Sequence, residues 1–205
     1  YEAAKLVINK DKPGTNVTGS SDLNPIGAQL DLIMQFVPNA KTIGTIYNSS
    51  EINSQFQVEI LKKELARYNV TLVEGTVSSV NDVQQVAQGL IGKIDALYVP
   101  TDNIIASAMP VLTKITTPAK VPVITGEEGP LHGGGLATVG VDYYELGKIA
   151  GNMGADILEG KSKPADMPIQ YQKEFKVKVN EPVLKTLGLQ LPEALKGKAE
   201  LGDFH

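Results

Sequence analysis

The sequence predicts a doubly wound α/β fold, with a parallel sheet in a three-layer α/β/α arrangement. Two observations carry this prediction. A short β-rich run, a polar loop and a segment of helical spacing recur in that order several times, the signature of a parallel sheet with crossover helices. The chain has 205 residues, 42% hydrophobic and 20% charged, which is the size and composition of a packed soluble protein that needs no disulfide staples.

The elements follow in order. Pro13-Gly14 and the turn-rich stretch 18–22 punctuate the opening, and Pro25 suits the first turn of a helix running to about Phe36. Thr42 to Tyr47 reads as a strand, Asn48-Ser49-Ser50-Glu51 as a loop, the segment to about Tyr68 as a helix and Val70 to Glu74 as a strand, which makes one βαβ unit. A helix around Val83 to Ile91, a strand at Ala96 to Val99, a loop over 100–103, a helix through Leu112 and a strand at Val121 to Ile124 continue the pattern. Gly126 to Pro130 and the triple glycine 133–135 form a turn-rich insertion, followed by a short strand at Ala137 to Val139 and a helix from Tyr144 to Leu158. Beyond Pro164 the texture changes. Ile169 to Gln172 and Phe175 to Val179 alternate apolar with polar residues and read as half-exposed, antiparallel edge strands, and the tail after Leu191-Pro192 reads as a fraying charged stretch.

Composition excludes several functions. A net charge of −4 gives no electrostatic footprint for nucleic acid. With 0 Cys there are no disulfides or thiolate ligands, and with 2 His a metal site would have to lean on carboxylates, so no cofactor is expected. No apolar run approaches the roughly 18 residues of a membrane span, and Tyr1-Glu-Ala-Ala-Lys has no signal-like character, so the opening reads as an internal cut. His132-Gly-Gly-Gly135 has the form of an esterase oxyanion loop, but no G-x-S-x-G nucleophile turn accompanies it, and a surface turn accounts for it better. Gly160-Lys161-Ser162 resembles the end of a phosphate loop but closes a helix instead of following a strand, so a helix C-cap is the better reading.

The informative polar residues follow strands. Asn48-Ser49-Ser50-Glu51, Thr101-Asp102-Asn103 and Thr125-Gly126-Glu127-Glu128 each come directly after one, and in an open parallel sheet such loops share the rim where ligands bind. Each loop taken singly is better explained as an N-cap for the next helix. Three on one edge favour a binding rim.

Longer segments carry a resemblance. Pro13-Gly-Thr-Asn-Val-Thr-Gly19 with Ser21-Asp-Leu-Asn-Pro25, then Val37-Pro-Asn-Ala-Lys41, the strand end Tyr47-Asn48, Val99-Pro-Thr-Asp-Asn103 and Val139-Gly-Val-Asp-Tyr-Tyr-Glu-Leu-Gly147 resemble the ABC-transporter substrate-binding family that includes tryptophan/tyrosine-binding proteins. The order and spacing hold across nearly the whole chain. The resemblance implies a type I periplasmic-binding-protein fold, in which two α/β lobes joined by hinge strands close over a small solute. It implies that 1–14 is a remnant of a first lobe, 15–140 the second, ligand-binding lobe, 141–163 a helix of first-lobe type, and 164–205 a return to the second lobe and tail. The apolar stripe Leu146, Ile149, Met153 and Ile157 would then lack its usual sheet and need other cover, including self-association.

For an amino-acid solute the site needs a carboxylate for the ammonium and hydroxyl, amide or N–H donors for the carboxylate. Asp102, Glu127 and Asp142 are the anionic candidates. Asn48, Ser49, Asn53, Thr101 and Asn103 are candidate polar contacts, and Ser21, Asp22 and Tyr143 sit at the implied hinges. By resemblance the protein is a non-enzymatic, extracytoplasmic solute receptor. The resemblance implies that the full-length parent is lipid-anchored and presents an amino acid or similar small polar solute to an ABC permease, and a chain with half the clamp is expected to bind weakly or not at all. The alternatives are a sensory or regulatory domain of the same fold, and an α/β enzyme using Asp102 or Glu127 as a base, which lacks a partnered nucleophile.

Overall fold

The computed structural model describes residues 5–204, and the Tyr1-Glu-Ala-Ala segment of the implied first-lobe remnant lies outside them. The chain divides into a larger unit, Asn24–Gly140 with Lys176–His205, and a smaller one made of the residues up to Leu23 and Val141–Phe175.

The larger unit is built on seven strands. β2 (Thr42–Asn48), β3 (Thr71–Val77), β4 (Ala96–Val99), β5 (Val123–Thr125), β6 (Ala137–Gly140), β8 (Lys176–Asn180) and β9 (Glu200–Gly202) lie in the order β3-β2-β4-β5-β6-β8-β9. Every neighbouring pair is parallel except β6 with β8. From β2 the chain goes to β3 on one side and returns to β4 on the other, so the topological switch point lies between β2 and β4.

Helices cover both faces. α3 (Val83–Leu90) and α4 (Asn103–Thr116) pack with Ile46, Leu97, Val99 and Val123 in one apolar cluster. Tyr98, alternating with Leu97 and Val99, points the other way and donates its hydroxyl to Gln29 of α1 (Ile26–Phe36) at 2.7 Å. α1 packs beside α2 (Ile52–Leu65), which covers β2 and β3. This is the doubly wound arrangement that the alternation of runs and helical segments predicts.

The expected limits hold within a few residues up to β6, and the tail does not behave as expected. It forms α6 (Glu181–Leu187) and β9, and Phe204 is buried. The Asn180 side chain caps α6 at Val183 N–H, Pro182 suits its first turn, and Gly188 closes it with φ 75°. β8 is antiparallel to β6 as its alternation suggests, yet it is no edge strand, because β9 pairs along its other side.

In the smaller unit, β1 (Ser20–Ser21) pairs in parallel with β7 (Gln170–Tyr171), next to α5 (Tyr143–Leu158). Residues 15–23 and 164–175 thus belong to this unit and not to the larger one, which shifts the boundaries implied by resemblance. The α5 stripe is partly covered within its own unit: Leu146 and Met153 are buried, and Ile149 and Ile157 are half-buried. Ile149, Met153, Met167 and Pro168 line a cavity of about 400 Å³ here, together with Asn152, Asp156 and Gln170.

Candidate functional site

Because β2, β4, β5 and β6 are parallel, their following loops emerge at one edge of the sheet. Asn24, Gly140 and Lys176, where the chain enters or leaves the larger unit, lie at that edge too: Lys176 pairs with Gly140, and the Asn24 amide donates to Thr101 Oγ1 at 2.8 Å. The rim is therefore bounded by loops 49–51, 100–102 and 126–128.

At the switch point Asp102 is buried and its two oxygens are committed to the fold. Oδ1 accepts Ile105 N–H at 3.0 Å and caps α4, while Oδ2 accepts Asn48 N–H at 2.7 Å and the Ser54 hydroxyl at 2.8 Å. This carboxylate ties the end of β2 to the end of β4. The Thr101 carbonyl accepts from Asn53 at 3.0 Å and from Ser54 and Gln57 at 3.3 Å, so the first turns of α2 hold the same loop. Ser54 and Gln57 were not among the expected residues. Their signal was a polar inner face on the first turns of a helix whose apolar contacts begin at Val58.

Above this layer the groups are accessible. Asn103 and Ser49 are exposed, and Asn103 donates to Glu51 Oε2 at 3.2 Å. The Asn48 amide reaches Glu51 Oε1 at 3.4 Å and the Asn103 N–H reaches Oε2 at 3.4 Å, so Glu51, not among the expected site residues, is held between two asparagines by hydrogen bonds of 3.2–3.4 Å. On the third loop Glu127 is half-buried, and its Oε2 accepts Gly129 N–H at 2.7 Å. Burial pushes its carboxyl above the usual carboxylate range, Glu128 pushes the same way, and the Gly129 N–H and His132 pull against them. Glu128 is paired instead with Lys178 at 2.5 Å.

Two glycines allow the loops to meet. A Cβ on Gly126 would lie 2.9 Å from Thr101 N, and one on Gly140 would lie 2.5 Å from the Gly126 carbonyl oxygen. The glycines after His132 serve packing: a Cβ on Gly133 would fall 2.4 Å from Met109 Cβ, and Gly134 has φ 96°.

The remaining expected residues lie in the smaller unit. Asp142 caps α5, its Oδ1 accepting Tyr144 and Glu145 N–H at 2.9 and 3.2 Å, and Tyr143 is 50% exposed. Ser21 is half-buried in β1 and accepts Leu23 N–H at 3.3 Å, and Asp22 is exposed. Among the described residues, no group of three His, Cys, Asp or Glu is arranged to hold a metal ion, and no helix is long and apolar enough to cross a membrane.

Residues 2–201 match the profile of a family described as ABC transporter substrate binding protein, whose members are non-enzymatic. The chain is 44% identical over 187 residues to a tyrosine-binding protein of Clostridioides difficile strain R20291, covering 91% of this chain and 54% of that protein. A conserved domain protein of Vibrio cholerae superposes with a TM-score of 0.90 at 36% identity, over 98% of this chain and 67% of the other. A Streptococcus pneumoniae ABC domain in complex with L-Trp gives 0.89 at 37% identity, over 98% and 68%. The chain spans about half the length of the curated relatives it matches, 54% and 56%. Regulators of the LacI family match at 9–18% identity, a likeness of fold alone.

Proposed function

We propose, from the premise that this chain belongs to the ABC transporter substrate binding protein family, that it captures an amino acid with an aromatic side chain outside the cytoplasm for import by an ABC permease. The observation that carries the reading is Glu127. It is a half-buried carboxylate on a loop at the shared C-terminal edge, with Oε2 oriented by the Gly129 N–H, and in this reading it receives the solute ammonium. A charge-assisted bond of that kind contributes about 1.5–3 kcal/mol.

Around it, Asn48, Ser49, Asn53, Thr101 and Asn103 supply amide and hydroxyl groups for the solute carboxylate. Asp102 sets the loops at their spacing instead of touching solute. On the smaller unit Ser21, Asp22, Asp142 and Tyr143 are proposed contacts by family resemblance. The lipid anchor of the full-length protein, and self-association through α5, where Tyr144 and Leu158 are 75% and 90% exposed, belong to the same reading.

Calorimetric titration with L-tyrosine, L-tryptophan, L-phenylalanine, L-alanine and glucose, each up to millimolar concentration, tests the proposal. Saturable heat for the aromatic amino acids ahead of alanine, with none for glucose, is the expected result. A preference for glucose, or aromatic and alanine responses of equal size, would overturn it.

A further inference from the structure

Gln29 is a polar residue on the buried face of α1, where Leu30, Leu32 and Ile33 provide the packing. It is 0% exposed, and a buried amide is tolerated only when its hydrogen bonds are made. Both N–H donors and the carbonyl oxygen are engaged, and toward one place. Oε1 accepts the Tyr98 hydroxyl at 2.7 Å, and Nε2 donates to the carbonyls of Gly126 and Val139, both at 2.9 Å. One side chain thus joins the ends of β4, β5 and β6.

The Gly126 peptide is gripped on every side. Its N–H donates to Val99 O at 2.8 Å, its carbonyl is taken by Gln29, and Gly140 lies so close that a Cβ there would be 2.5 Å from that carbonyl oxygen and 3.2 Å from Glu127 Cα. Thr125 Oγ1 then donates to Glu127 O at 2.8 Å. These contacts hold the backbone on both sides of the Glu127 Cα, from which the side chain departs.

We infer that Gln29 is a positioning residue for solute binding, its buried amide fixing the Gly126–Glu127 peptide and so the direction in which Glu127 offers its carboxylate. The inference rests on the proposed role of Glu127 and adds the residue that sets it. A hydrophobic side chain of similar length would fill much of the same space in α1 and leave this peptide untethered.

The test uses the full chain and two readouts, affinity for L-tyrosine and the titration midpoint of the Glu127 carboxyl followed by carbon NMR. Gln29→Leu is expected to weaken binding about tenfold or more and to move the Glu127 midpoint toward the ordinary carboxylate value as the loop opens to water. Leu90→Ala, a cavity in the α3 layer away from this edge, lowers the melting temperature and leaves both readouts in place. Gly140→Ala displaces the Gly126 carbonyl from the other side and, should Gln29→Leu fail to fold, shows the same two changes. Unchanged affinity and midpoint in Gln29→Leu or Gly140→Ala would overturn the inference, as would equal changes in Leu90→Ala. Failure of the wild-type chain to bind L-tyrosine counts against the proposed solute, whereas the Glu127 titration still decides the role of Gln29.

Discussion

The backbone N–H of Asn48 donates to Asp102 Oδ2 at 2.7 Å across the switch point of the sheet, joining the ends of two strands through residues 54 positions apart in the chain. A carboxylate that looks in the sequence like a ligand for an ammonium ion is here a fixed strut of the rim. Its three donors, Asn48 N–H, Ser54 hydroxyl and Ile105 N–H, satisfy it within the fold.

Asp102→Ala leaves Asn48 N–H and Ile105 N–H buried without their acceptor, and should cost about 2–4 kcal/mol of stability. The loss is read from the thermal unfolding midpoint. An unfolding midpoint that stays at the wild-type value would contradict the strut role of this carboxylate.

Glu127 gives a pH dependence with a defined sign. Its folded value is raised, chiefly by burial, so between the ordinary carboxylate value and the raised one the folded chain holds more protons than the unfolded chain. The contribution of this group to stability therefore falls as pH rises through that window and levels off above it. Solute affinity runs the other way, because an ammonium binds the ionised form, and it should rise across the same window. Glu127→Gln should remove both trends and weaken solute binding at neutral pH. Thermal melts and titrations at several pH values check this, and an affinity that falls with rising pH in this range would speak against Glu127 as the ammonium acceptor.

Asn180 is 0% exposed and works at both ends of its amide, accepting Val183 N–H at 3.3 Å and donating to Leu131 O at 3.1 Å. Asn180→Ala should cost about 1–2 kcal/mol and loosen the segment after β8. Limited proteolysis is expected to cut first between α6 and β9 in this variant, while the wild-type tail resists.

The alternation of strands and helices was legible because each parallel strand is a short apolar run closed by polar residues, and Ala96–Val99 falls where the pattern puts it. α6 was missed because seven residues are too few for a helical period, although Asn180, Pro182 and Gly188 bracket it with a cap, a first-turn proline and a left-handed closing residue. The edge that gathers the polar loops was also legible, since parallel strands fix it. Which carboxylate stays accessible was not. Asp102 and Glu127 look alike in sequence, and the difference between them depends on β2 lying beside β4, a neighbour relation set by the strand order. Gln29 was hidden for the same reason: it stands out only when the three strand ends it joins are brought together.

The central claim is that three loops at one edge of the sheet form a wall that receives an amino acid. Backbone amide NMR of the isotope-labelled chain titrated with L-tyrosine measures this directly. The claim predicts saturable shifts concentrated in residues 48–53, 101–103 and 126–129. Shifts confined to other surfaces, or none at millimolar ligand, would contradict it.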